Sequence, residues 1–177
     1  MIRRPNKYAS MPVRSSRWLP PKGYAAITLW GNILMREPHY TQWQLHKDSV
    51  AYKILYQHER IHLCQAVATH NSWLCYYARY FWYYLRGRPW HYGHRAAYFI
   101  NPFEIEAYLY EADDSYTQGL PKPVWVWKQL ALISPAMLHE LYKHCQSFGD
   151  GHKAQCKFIS TIQNYLEQRN KKEGYKK

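Results

Sequence analysis

Two histidines four residues apart, His58 and His62, constrain this chain more than any other feature it carries. They lie in Tyr56 to Gln65, YQHERIHLCQ, with Glu59 directly after the first. An α-helix places residues at that spacing on one face, where both imidazoles can reach a single metal ion. Asp48 and Ser49 are suited to cap a helix N-terminus, and Val50, Ile54, Leu55, Ile61 and Leu63 supply apolar positions through the next turns. No Gly or Pro interrupts Asp48 to Thr69, so the pattern predicts one helix of about five or six turns. Zinc suits two imidazoles, and a third protein ligand leaves one position for a water on which Glu59 is placed to act. Composition alone gives roughly 0.02 accidental matches to HExxH in such a chain, so the surroundings must carry the reading.

The missing ligand has to be a carboxylate or imidazole on another element. Asn101-Pro102 marks a helix start, with Asn101 at the N-cap and Pro102 at the first helical position, and this helix is expected to run to about Tyr116. Glu104 and Glu106 fall in its first turn, where carboxylates complement the helix dipole. Glu104, 42 residues after His62, is the best candidate, with Glu106 as the fallback.

The rest of the chain reads as mostly helical. Residues 1 to 22 hold six Lys/Arg among Pro5, Pro12, Pro20 and Pro21, which predicts an extended basic arm rather than a packed element. Ala26 to Trp30 and Ile33 to Met35 are β-prone around Gly31-Asn32, so a hairpin is expected, followed by a polar connection over Glu37 to Lys47. Asn71 can cap a helix over Ser72 to Leu85, apolar all round and therefore expected to be buried on more than one side. Trp90 to Ile100 reads as a loop with His91, His94 and Tyr98. Beyond a break at Gly119 to Pro123, Val124 to Ile133 suits a strand or a helix. Ser134-Pro135 opens a helix through Cys145, and a last helix spans about His152 to Gln168 before a basic tail, 169 to 177. The expected class is α+β and predominantly helical: one domain over 23 to 168, with a strand pair preceding the HExxH helix and that helix packed against the Glu-bearing one.

HERIH followed by NPFEIEAY resembles the gluzincin metallopeptidases, in which HExxH on one helix and a glutamate on a later helix bind zinc. The likeness covers residues 23 to 116, and its nearer form is a small single-domain type with a strand pair, an aromatic helix and FExEAY. It implies a compact zincin-like fold and a zinc site of His58, His62 and Glu104. Glu59 would accept a proton from the attacking water and pass it to the leaving amine. Tyr98, Tyr108 or His94 would supply the donor to the oxyanion, and residues 24 to 36 would pair with an extended peptide substrate. The family often has an aspartate four residues after the ligand glutamate to orient a zinc histidine; here Tyr108 stands there, which leaves that task to another group.

Charge supplies the rival readings. A formal net charge of +12 favours acidic partners, whether an acidic protein, a nucleic acid or an anionic surface. Basic arms and an aromatic-rich sequence, with 18 Tyr and 8 Trp, would suit a structural component of a larger assembly such as a virion, or a nucleic-acid binder. The four cysteines show no CxxC spacing and are expected to be reduced, buried thiols. His139, His144, His152, Cys145 and Cys156 fit no tight metal template and are expected at ordinary surface and core positions. The first 18 residues lack the apolar stretch of a secretory signal, and no apolar run approaches the ~20 residues of a membrane span, so a soluble, unsecreted protein is expected.

Overall fold

The structure, a computed structural model, describes Pro5 and residues 10–118, 126–149 and 151–172. It is predominantly helical α+β, with one small three-stranded sheet. By contacts the chain divides into two units, Met1–Arg79 with Tyr110–Pro123, and Tyr80–Leu109 with Val124–Lys177.

The first unit is built on a hairpin. Strand β2 (Ala26–Leu29) pairs antiparallel with β3 (Asn32–Met35), in register Ala26↔Met35 to Leu29↔Asn32. Its two-residue turn is Trp30-Gly31, with φ of 51° and 79°, the mirror-image turn that matches strand twist. Gly31 takes that conformation freely, whereas Trp30 is held in it by tertiary contact: its N–H donates to Tyr77 Oη at 2.8 Å. Ile33 and Met35 are buried on one face, beside Thr28 on the neighbouring strand. Against this sheet packs helix α2 (Val50–Ala68), capped by Ser49, whose side chain accepts from the Tyr52 N–H.

Two expectations fail in this unit. Residues 13 to 15 of the supposed arm form strand β1 (Val13–Ser15), parallel to β3 in the order β1-β3-β2. Met11 beside it is buried, and its N–H donates to Tyr56 Oη at 3.1 Å. Parallel pairing across twenty residues leaves no local signature, so a proline-rich basic segment hides it. The polar connection over 37 to 47 contains helix α1 (His39–His46). Glu37 tethers its start, accepting from the Thr41 N–H at 3.3 Å and Thr41 Oγ1 at 2.6 Å. The helix buries no side chain, so no apolar period announces it.

In the second unit, helices α8 (Pro135–Gln146) and α9 (Gly151–Lys172) pack together. Ala154, Phe158, Ile162 and Leu166 recur every four residues along α9 as its buried stripe, and the last three share one core cluster with Leu138, Tyr142 and Cys145 of α8. Helix α7 (Val126–Leu130) settles the strand-or-helix alternative for the residues it covers. Helix α9 runs through Lys172, so the first part of the expected basic tail is helical. The expected loop over 90 to 100 holds two short helices, α4 (Pro89–Tyr92) and α5 (His94–Phe99), separated by Gly93 at φ 89°. Such short elements carry too few residues for a period to show.

Helix α6 (Pro102–Tyr110) starts as expected, Asn101 Oδ1 accepting from the Phe103 N–H at 3.1 Å, but it ends at Tyr110 ahead of a 3₁₀ turn, Asp114–Thr117. Helix α3 (Trp73–Arg86) forms where expected and is less buried than its composition suggests. Trp73 and Tyr76 are buried, but Leu74, Phe81 and Trp82 are 67%, 57% and 60% exposed. All four cysteines are free thiols; Cys64 and Cys145 are buried, whereas Cys75 and Cys156, on outward helix faces, are exposed. Residues 1–4, 6–9, 119–125, 150 and 173–177, which include parts of the expected arm, break and tail, lie outside the described residues.

Burial pushes the Tyr77 phenol up to about 12, against the lowering effect of the Trp30 N–H. The neutral phenol is the native form, so its contribution is complete below the ordinary phenol pKa near 10 and is lost as pH rises through about 12. Tyr77→Phe removes the acceptor for Trp30 and should cost about 1–3 kcal/mol in urea unfolding, with the late-titrating phenol disappearing from the ultraviolet pH titration. In the second unit, Phe158→Ala should cost about 3–5 kcal/mol in the same assay, because the ring is fully buried between α8 and α9.

Candidate metal centre

Helix α2 turns an unusually polar stretch inward: Gln57, His58, Glu59, His62 and Gln65 are all buried among Ile61, Leu63 and Cys64. Buried polar groups at this density require partners, and each has one. His58 Nδ1 meets Glu111 Oε2 at 2.8 Å, and His62 Nδ1 meets Gln65 Oε1 at 2.8 Å. A carboxylate oxygen and an amide oxygen accept, so each imidazole donates from Nδ1 and its Nε2 is directed away from that partner. The rings lie 5.0 Å apart, edge to face, as the one-turn spacing on α2 dictates.

The partner Glu111 is itself anchored. Gln57 Nε2 donates to the Asp113 carbonyl at 3.0 Å, and Thr117 Oγ1 donates to Gln57 Oε1 at 3.3 Å. Asp113 in turn accepts from the Ser115 N–H at 3.0 Å and caps the 3₁₀ turn. Glu111 thus holds the His58 ring through its Nδ1. Glu59 is positioned from the sheet: Thr28 Oγ1 donates to Glu59 Oε2 at 2.6 Å and lies 3.1 Å from the Glu59 carbonyl oxygen.

Glu104 is buried in the first turn of α6, where Tyr80 Oη donates to its Oε1 at 2.7 Å. Asn101, besides capping α6, donates from Nδ2 to the Tyr80 carbonyl at 3.2 Å, so cap and phenol are held together. Tyr98 Oη is 3.3 Å from Tyr108 Oη. Burial first, and then the Glu104 carboxylate, raise the Tyr98 phenol well above its ordinary value, so it stays a protonated donor at neutral pH.

One ligand atom from each of His58, His62 and Glu104 lies within 4.8 Å of the others, and all three residues are buried. Two neutral imidazoles and a carboxylate are a zinc donor set, and the outer hydrogen bonds match what zinc histidines need. The remaining named residues sit differently. Glu106 is fully buried and accepts from the backbone N–H groups of Val126 at 2.9 Å and Trp127 at 3.4 Å, so its carboxylate caps α7. His94 is exposed, its Nδ1 in hydrogen-bond contact with Tyr84 Oη. His139 Nε2 is spent on the Gly87 carbonyl at 2.8 Å, and His152 lies 3.7 Å from the Cys156 sulfur on an exposed helix face.

Sequence reasoning named the three candidate ligands and missed Glu111, Gln65, Tyr80 and Thr28. Gln65 alone had a local signal, three residues after His62 on the same helix face. Searches against family models, curated proteins and solved structures give no match. Chain and geometry therefore carry the reading.

If the triad takes one ion, chelator-stripped protein offered zinc will bind about one equivalent by atomic absorption, and His58→Ala and Glu104→Ala will each lose it. Glu111→Ala, which removes only the His58 partner, should weaken zinc affinity about 10–100-fold in a competition titration.

Proposed function

We propose that the chain is a zinc-dependent hydrolase of peptide bonds, with His58, His62 and Glu104 as metal ligands and Glu59 as general base. The observation that carries this reading is the convergence of the three buried ligand atoms, joined to Nδ1 hydrogen bonds that aim both imidazole Nε2 atoms away from their own supports. Bound there, zinc would polarise a substrate carbonyl and acidify water. Every other step falls to the chain. Glu59, held at Oε2 by Thr28, takes a proton from the attacking water and returns it to the leaving amine. Tyr98, kept protonated, is the preferred donor to the developing oxyanion over His94, which is exposed.

The sheet supports an extended substrate. β3 is paired on both sides, which leaves β2 at an edge. With Leu29↔Asn32 closing the two-residue turn, Ala26 and Thr28 occupy the positions whose backbone N–H and C=O point away from β3. Thr28 would then bind a peptide backbone with its main chain while its hydroxyl holds Glu59.

One observation favours a second reading. The ligands and Glu59 are all at most 5% exposed, which also suits a closed structural zinc site in an assembly protein. Glu59→Gln separates the two. Under the hydrolase reading, the variant keeps its zinc and loses at least about 10³-fold in kcat/KM on a quenched peptide library that the wild type cleaves. Wild-type protein with a full complement of zinc and no cleavage of any library member would overturn the catalytic reading in favour of the structural one.

A further inference from the structure

Among the described residues of the second unit, five large aromatic side chains face solvent, Phe148 after α8 and four on two successive helices: Phe81 and Trp82 on α3, and Trp90 and Tyr92 on α4, at 57%, 60%, 73% and 40% exposure. Single exposed aromatics are ordinary, whereas two tryptophans and a phenylalanine presented by consecutive helices are not. Trp90 and Tyr92 line a groove of about 410 Å³ with Leu85, Arg86, Arg88 and His139, and no carboxylate lines it. Its walls are set in place by ordinary structural contacts. Tyr92 stacks on His139 at 3.8 Å, and Arg86 Nη1 donates to the Ala131 carbonyl at 3.2 Å. Arg88 is exposed at the lip. The wider segment has the same character: from Trp73 to Phe103 the sequence contains four arginines and neither Asp nor Glu.

We propose that this face seats the protein on an anionic lipid surface. Tryptophan and tyrosine favour the boundary between headgroup and acyl chain, because an apolar ring and a polar edge are both satisfied there. Arginines interleaved with them reach the phosphates while their stems lie along the apolar layer. The groove lining itself has no carboxylate to repel anionic headgroups, Glu140 beside His139 lying outside it, and each added cation near such a surface strengthens attachment. No helix among the described residues is long and apolar enough to cross a membrane, so attachment is by this face lying on the surface. The proposal is independent of the metal chemistry.

The full chain would be sedimented with vesicles of phosphatidylcholine alone and with about 30% phosphatidylglycerol, while tryptophan emission is followed. The wild type is expected to bind the anionic vesicles at least tenfold more tightly, with a blue shift of emission. The double variant Trp82→Ser/Trp90→Ser should lose binding at least tenfold, and Arg88→Glu should lose it severalfold, both with unchanged circular dichroism and melting temperature. A control with Lys171→Glu/Lys172→Glu, on the far end of α9, should bind almost as well as the wild type. No preference for anionic vesicles overturns the proposal. So does binding that is lost in the lysine control and kept in the tryptophan variant, since that is attraction by net charge alone. Binding of a single-stranded oligonucleotide through Trp82 and Trp90 without binding to vesicles would assign the face to nucleic acid and overturn it equally.

Discussion

The hydrogen bonds on the far side of the two imidazoles are what the candidate centre depends on. Unsupported, a buried histidine can hold its proton on either nitrogen and rotate between them. Here an acceptor oxygen at each Nδ1, Glu111 Oε2 for His58 and Gln65 Oε1 for His62, removes both freedoms. The two supports differ in origin. Gln65 lies on the same helix as its histidine, so that bond forms as soon as α2 does. Glu111 lies fifty-three residues from His58 and needs Gln57, Asp113 and Thr117 to fasten its segment. Metal affinity in this reading is therefore tied to a tertiary arrangement as well as to a helix.

The same economy appears at Thr28. It stands on the buried face of β2 among apolar neighbours, where a hydroxyl is costly unless bonded. Its bond to Glu59 satisfies the hydroxyl, fixes the carboxylate, and joins sheet to helix in one contact. Asn101 shows a parallel device in the other unit, capping α6 with one side-chain atom and holding the Tyr80 backbone with the other, while Tyr80 bonds Glu104. In both cases one polar residue serves its own element and helps fix a buried carboxylate within its unit.

Aromatic residues divide between two tasks. Tyr80, Tyr83 and Trp127 surround Phe103 in the interior of the second unit, with ring centroids 4.8 to 6.3 Å apart. Phe81 and Trp82, adjacent to Tyr80 on the same helix, point outward. A helix aromatic on every side cannot tell from composition which side meets protein, and this is why α3 was expected to be buried more fully than it is.

The sequence by itself determined what local chemistry controls. Spacing and the absence of breakers defined α2, Ser49 and Ser134 marked helix starts, and Asn101-Pro102 opened α6 with Glu104 in its first turn. The β-prone runs around Gly31 gave the hairpin. These features depend on neighbours a few residues apart, so the candidate ligands could be named without a structure. Only the tertiary structure decided that β1 joins the sheet, that Glu106 caps α7, and that Glu111 bonds His58. Each of these is a partnership between groups distant in the chain. The side chains involved are ordinary carboxylates and a short strand, and nothing in their own residue types distinguishes the partner they find after folding.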